Sequence, residues 1–288
     1  MNKLLQKRLY CVLSVLALAL LITLLPASQT QAANKITHSF TGADYILAKG
    51  KSITIKNSSV VKWSSENSKI ATVNQQGKVV AKNGGVAVIT GTTSYGGKYT
   101  YEVGVKTSTF IPASRTRYKA GKDIASGTYV VIHDKKVDSI NSFTYWAIYT
   151  KKNGGKLLTN DGFSYTSIVT VKKGQYLELS GGYAVPFKKA SRSLFTVTNL
   201  NKNITSSAYG AAAKVGYGLP AGTYKFTLAK KSAYGIIKIC KRAKSGSYSY
   251  TDVIDSTSLS KSSKKSVTVT LKKGQYIYYQ GCTLKKIK

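Results

Sequence analysis

The chain has 288 residues, with 44 Lys plus Arg against 10 Asp plus Glu, for a formal charge of +34. Hydrophobic residues at 42% and only 4 Pro exclude a disordered polycation and leave material for packed cores. Arg8, Arg115, Arg117, Arg192 and Arg242 are the only arginines. The charge therefore reads as a diffuse lysine field, and sequence-specific nucleic-acid recognition, which relies on bidentate Arg, is not expected.

The first segment reads as a secretory signal over residues 1–33. Lys3, Lys7 and Arg8 form a basic start, Leu9 to Leu25 is almost wholly apolar, and small residues run from Pro26 to Ala33. Cleavage after Ala32 or Ala33 makes the protein secreted or extracellular, without a covalent anchor; retention of the segment as a membrane anchor is the alternative reading. No second apolar run follows, so no transmembrane segment is expected after cleavage, and Cys11 leaves with the signal.

From residue 34 onward the reading is all-β. Ser52–Ile55, Val86–Thr90, Tyr99–Val103 and Val267–Leu271 alternate or cluster β-branched and aromatic residues, with Gly-containing turns between them and no apolar stripe of helical period. An Ig-like module is placed at 34–106, a linker at 107–117, and two β repeats at 118–200 and 201–288, each a small antiparallel sandwich.

Within 34–106 the chain carries Gly50-Lys51 before a strand, then Trp63-Ser64-Ser65, Ala71-Thr72-Val73, the hairpin Gly77-Lys78-Val79-Val80-Ala81, and Gly85-Val86-Ala87-Val88-Ile89-Thr90. These pieces, in this order, resemble the bacterial Ig-like group 2 (BIG2) domains of secreted and surface proteins. The resemblance implies an Ig-like sandwich with Trp63 in its core, and spacer, stalk or adhesive roles.

The repeats are read from two motifs. Gly127-Thr128-Tyr129 recurs as Gly222-Thr223-Tyr224, 95 positions later, and Lys172-Lys173-Gly174-Gln175-Tyr176 recurs as Lys272-Lys273-Gly274-Gln275-Tyr276, 100 positions later. Same order and near-equal separation indicate a duplicated unit. The repeated Tyr and Lys residues read first as turn-plus-core devices and second as a twice-presented ligand patch. The pair weakly resembles uncharacterised modules of Gram-positive exported proteins.

No catalytic constellation emerges. His133 beside Asp134 supplies two members of a hydrolytic triad at most, and Lys135-Lys136 after them reads as a solvated strand end. His38 is isolated, no Cys-x-x-Cys or phosphate loop occurs, and neither metal nor cofactor is expected. Cys240 and Cys282 in the last repeat form a candidate disulfide, with two buried thiols as the alternative.

Binding remains, and charge locates it. The modules at 34–106, 107–200 and 201–288 carry +7, +9 and +15. The candidate polyanion-binding residues are Lys230, Lys231, Lys241, Arg242, Lys264, Lys265, Lys272, Lys273, Lys285 and Lys286, expected at strand ends and turns. The sequence thus reads as a non-catalytic surface interaction or adhesion protein whose partner is a cell-wall or host polyanion or glycan. Carbohydrate binding by exposed tyrosines, of which the chain has 21 in all, is the alternative, and an unrecognised wall or glycan hydrolase a third reading. The sequence assigns no oligomeric state.

Overall fold

The computed structural model describes residues 42–133, 144–163, 165–191, 211–230, 232–246 and 252–288. The signal segment, His38, residues 134–136 and Lys231 lie outside the described residues. The protein is all-β, as its alternating pattern requires. The strands of the first module are β1 (Tyr45–Ala48), β2 (Ser52–Thr54), β3 (Val60–Ser65), β4 (Ala71–Val73), β5 (Lys78–Ala81), β6 (Gly85–Thr93) and β7 (Lys98–Lys106). They form two sheets, β1-β7-β6-β3 and β2-β5-β4, with β1 parallel to β7 and the other pairs antiparallel. Trp63 is buried between the sheets, its ring 5.9 Å from that of Tyr101. The ring fits because Gly77 and Gly91 face it: a Cβ at either would lie about 3.1 Å from indole carbons.

The segment read as a linker, 107–117, is mostly strand. Residues Ile111–Lys119 form β8, which pairs with a later strand of repeat 1, and Ile111 and Ala113 are buried in that repeat's core. The buried positions of this strand, Ile111 to Ser114 and Tyr118, follow no period of two, and Pro112 interrupts the run, which explains why it reads as a connector. Backbone N–H of Ala43 to the carbonyl of Ala113 (3.1 Å), the Arg115–Asp44 ion pair (3.0 Å) and the stack of Phe110 on Tyr183 (4.7 Å) join the Ig-like module to repeat 1.

Repeat 1 contributes β9 (Gly127–His133), β10 (Thr144–Tyr149), β11 (Leu157–Phe163), β12 (Thr166–Val171) and β13 (Tyr176–Pro186). Repeat 2 contributes β14 (Ala211–Val215), β15 (Gly218–Leu219), β16 (Gly222–Leu228), β17 (Tyr234–Cys240), β18 (Lys244–Ser245), β19 (Val253–Ser260), β20 (Ser266–Leu271), β21 (Tyr276–Gln280) and β22 (Cys282–Lys286). The long strand β13 pairs with β10 along its first half and with β9 along its second, so it passes from one wall of the module to the other. In repeat 2 the same path is cut in two: β21 pairs with β17, β22 pairs with β16, and Gly281 stands between them. Gly181 (φ +74°) and Gly281 (φ +63°) make these two turns in the left-handed region that favours glycine.

The repeated motifs have structural roles. Tyr129 and Tyr224 are buried and donate their hydroxyls to the carbonyls of Ala125 and Pro220 four residues back, at 2.5 and 2.7 Å. Gln175 and Gln275 accept the backbone N–H of Lys172 and Lys272 across each tight turn, at 2.8 and 2.7 Å.

The two repeats are packed face to face. Val130, Ile168 and Val185 point out of repeat 1 and are buried against Ala212, Cys240, Ala243 and Tyr278 of repeat 2. Burying three such side chains contributes roughly 1.5–3 kcal/mol each. Tyr278 donates its hydroxyl to the carbonyl of Ile168 (2.9 Å), Thr166 to that of Ala212 (3.0 Å), and β18 adds to the repeat 1 sheet parallel to β12, with Val169 opposite Lys244.

Candidate functional site

The two repeats carry different side chains at matching positions of one sheet face. In repeat 1, Val130 on β9 lies opposite Ile168 on β12 and Val185 on β13. In repeat 2, Lys225 on β16 occupies the corresponding place, opposite Thr268 on β20 and Lys285 on β22. The exchange extends along the face, since Ile132 and Tyr183 correspond to Thr227 and Thr283 at the same offsets of 95 and 100. The apolar face of repeat 1 is covered by repeat 2. Its polar counterpart on repeat 2 has Lys225, Thr227, Thr268, Thr270 and Lys285 exposed.

Lys225 points outward because its neighbours Tyr224 and Phe226 are core residues, and Lys285 does so beside buried Leu284. The predicted lysines bracket this face. Lys230 follows β16, and Lys264 and Lys265 sit in the turn before β20, where the carbonyl of Lys265 accepts the N–H of Leu228. Lys272 and Lys273 follow β20 at the other end, near Lys286, which lies beside Gly222. All six are exposed. The two ends are separated by the length of β20, about 20 Å at 3.3 Å per residue.

The strands β16, β20 and β22 contain no acidic residue. Lys225 and Lys285 are therefore like charges placed directly opposite, an arrangement that costs stability. Bound anions would relieve it. The hydroxyls of Thr223 and Thr270, 3.2 Å apart, extend the face with groups that both donate and accept.

Two predicted residues stand elsewhere. Lys241 and Arg242 follow β17 on the other sheet, and Arg242 is held by Asp252 through two contacts, Nε to Oδ1 at 2.6 Å and Nη2 to Oδ2 at 2.8 Å. This fork grips a carboxylate of its own chain, which removes Arg242 from the anion-binding set. Lys225 was missed by the sequence reading because it lies mid-strand and apart from any lysine pair. Its signal is the alternation Tyr224-Lys225-Phe226-Thr227 set against Val130-Val131-Ile132 in the other copy.

The candidate disulfide is not formed. Cys240 and Cys282 are both buried thiols. Cys282 lies beside Gly235, whose added Cβ would be 3.4 Å from the cysteine Cβ, whereas Cys240 ends the same strand five residues further on. That spacing corresponds to about 17 Å along a strand, beyond the reach of an S–S bridge. Burial pushes the Cys282 thiol from 9.0 up to about 12. The folded state favours the neutral thiol, a preference fully present below pH 9.0 and lost as pH rises through about 12. Iodoacetamide at pH 8 is expected to leave Cys240 and Cys282 unlabelled in the native chain and to label both after unfolding, as read by peptide mass mapping. Labelling of either in the native chain would contradict this burial.

His133 is joined to the scaffold: its Nδ1 lies 3.0 Å from the hydroxyl of Thr144, which donates to the carbonyl of Gly181. Among the described residues, the tyrosines do not assemble into a stacking platform. Among the described residues the most exposed are Tyr95 and Tyr99 on the β6–β7 hairpin and Tyr234 at the start of β17. Of these, Tyr234 lies near the Lys264 end of the basic face, opposite Ser260, whose N–H bonds the carbonyl of Lys264. In repeat 1, Tyr149 on β10 is covered by the Arg117 guanidinium at 3.3 Å, itself held by Glu178 at 2.9 Å.

The first module is thus an Ig-like sandwich by its two facing sheets and central tryptophan. A family model described as "Bacterial Ig-like domain (group 2)" matches residues 40–103, and the chain carries a domain of that family. Among solved structures, one similar chain is the Bacteroides ovatus mixed-linkage glucan utilization locus protein SGBP-B, in complex with a mixed-linkage heptasaccharide. It is 12% identical with a TM-score of 0.18, and the match covers 51% of this chain and 50% of that one. This chain therefore spans about half the length of that relative. No curated protein matches the chain. Among the described residues, no helix is long and apolar enough to cross a membrane.

Proposed function

We propose that the protein is a non-catalytic interaction protein of the cell exterior. In this reading the Ig-like module is a spacer, and the two packed repeats present the β16–β20–β22 face to an extended polyanion of the envelope or of a host surface. One observation carries the reading: the sheet positions that are Val130, Ile168 and Val185 under the inter-repeat cover are Lys225, Thr268 and Lys285 where the face is open. Solvation alone would be served by mixed charges. A face with lysine opposite lysine, no carboxylate in its strands and lysine pairs at both ends is complementary to an anionic polymer. The basic, arginine-poor composition and the secretory pattern of the first 33 residues support the same setting.

The test is chromatography of the purified chain on heparin and on isolated teichoic-acid-bearing cell walls over a salt series. Counterion release predicts that the logarithm of the binding constant falls linearly with the logarithm of salt, by roughly 0.7–0.9 per phosphate-like contact. Four to six lysine contacts then give a slope of about −3 to −5. Retention indifferent to salt would overturn the proposal.

A further inference from the structure

The junction of the two repeats holds a second site of different chemistry. A cleft of about 90 Å³ opens between the β11–β12 hairpin of repeat 1 and the β17–β21 surface of repeat 2, lined by Asp161, Thr166, Lys238, Lys244, Tyr278 and Gln280, among others. At about 15 Å³ for each water-sized group, this is space for roughly six such groups, the scale of a six-membered ring whose substituents extend into the open mouth of the cleft.

Its polar groups are held in place. The Lys244 ammonium lies 2.9 Å from Asp161 Oδ1 and 5.0 Å over the Tyr278 ring. The other oxygen of Asp161 accepts the hydroxyl of Ser167 at 2.6 Å, and Ser167 is 1% exposed. The backbone N–H of Lys244 bonds the Tyr278 hydroxyl at 2.9 Å. Lys238, opposite Tyr278 in the β17–β21 ladder, is exposed and has no carboxylate partner among the described residues. Tyr279 also lines the cleft, and its buried hydroxyl has no hydrogen-bond partner among the described residues.

The donor set selects among ligands. Phosphate and sulfate carry charge and acceptors on one compact centre, which the Asp161 carboxylate on the wall repels more than a ring that sets its single carboxylate apart from its hydroxyls. Sugar hydroxyls donate and accept at once, so a fixed carboxylate beside a fixed ammonium, with the Gln280 amide near, suits a ring bearing vicinal hydroxyls. Two ammonium groups against one carboxylate leave a single positive charge, and Lys238 carries it without a partner. We infer that this inter-repeat cleft is a subsite for one monoanionic pyranose residue, a uronic acid, with its hydroxyls on Asp161, Lys244 and Gln280 and its carboxylate on Lys238. The site is independent of the basic face, which lies on the other sheet of repeat 2.

The experiment is titration of the purified full chain with D-glucuronic acid, D-glucose and inorganic phosphate in moderate salt, followed by calorimetry or NMR. Glucuronate is expected to bind saturably, glucose more weakly, and phosphate not to compete. Lys238→Ala, at an exposed position, should weaken glucuronate at least tenfold and leave glucose unchanged. Asp161→Asn, which keeps an oxygen to accept the Ser167 hydroxyl, should weaken both sugars, whereas Lys225→Glu with Lys285→Glu should alter neither. Absence of saturable glucuronate binding, equal competition by phosphate, or unchanged affinity in Lys238→Ala would overturn the assignment. The basic face is tested separately by the Lys225→Glu, Lys285→Glu variant, which should lose retention on heparin and keep saturable glucuronate binding.

Discussion

Replacing Lys225 and Lys285 together by Glu is expected to abolish retention of the chain on heparin at any salt above the lowest. The two side chains face solvent from neighbouring strands and lie directly opposite each other. A lysine near an anionic surface contributes about 1 kcal/mol, and reversal both removes that attraction and adds a similar repulsion. The double variant therefore loses about 4 kcal/mol at low ionic strength, roughly a 1,000-fold fall in affinity. The substitution relocates no core side chain and replaces one like-charge pair by another, so the thermal midpoint should move little. A control reversal of Lys62 and Lys69, exposed on the Ig-like module, removes the same total charge. If that control lowers retention as much, the interaction follows net charge alone and the basic face has no special part in it.

The second large effect concerns the turn at Gly281. Its backbone lies at φ +63°, and a Cβ there would sit 2.1 Å from the carbonyl oxygen of Tyr234, which is backbone and has little room to yield. Gly281→Val therefore combines a β-branched residue in the left-handed region with a steric overlap, costs of about 1–3 kcal/mol each. A destabilisation of about 4 kcal/mol should lower the thermal midpoint by about 10 °C or more for the packed pair of repeats. Gly274→Val supplies the comparison: it too has a positive φ, of +92°, yet a Cβ there meets nothing within 4 Å. If circular dichroism melts of the two variants coincide, close packing at the strand switch is not what holds repeat 2 together.

These two positions also show what could be read from the amino acids alone. The Ig-like module was legible because its turns and core carry distinctive residues in a fixed order, Trp63 above all. Duplication was legible because the Gly-Thr-Tyr and Lys-Lys-Gly-Gln-Tyr turns bond to their own neighbourhoods, as Tyr129 and Gln175 do, and local geometry leaves a local mark. The strand that changes walls was not, since one glycine among 25 gives no sign that its φ is positive or that the chain changes strand partners there. The welding of the repeats was half visible. Runs such as Val130-Val131-Ile132 and Ile168-Val169 put apolar groups on both faces of a strand, which only a sheet covered on both sides accommodates, whereas Val267-Thr268-Val269-Thr270 alternates as a half-exposed strand does. The cleft was invisible, because Asp161 and Lys238 are 77 positions apart and meet only through the packing of one repeat on the other.

The first module has a further property, set by the direction of its outermost strands. The chain enters through β1 and leaves through β7, and these two run parallel side by side, with Tyr45 opposite Val103 and Ala48 opposite Lys106. Tension applied through the two ends of the module pulls such strands lengthwise past one another. The hydrogen bonds between them are then loaded together in shear, instead of being opened one at a time as in a hairpin pulled from its mouth. Beyond β7 the load passes to β8, which is built into the core of repeat 1. A module with this wiring resists extension through its two ends, because a whole ladder of hydrogen bonds has to give way at once.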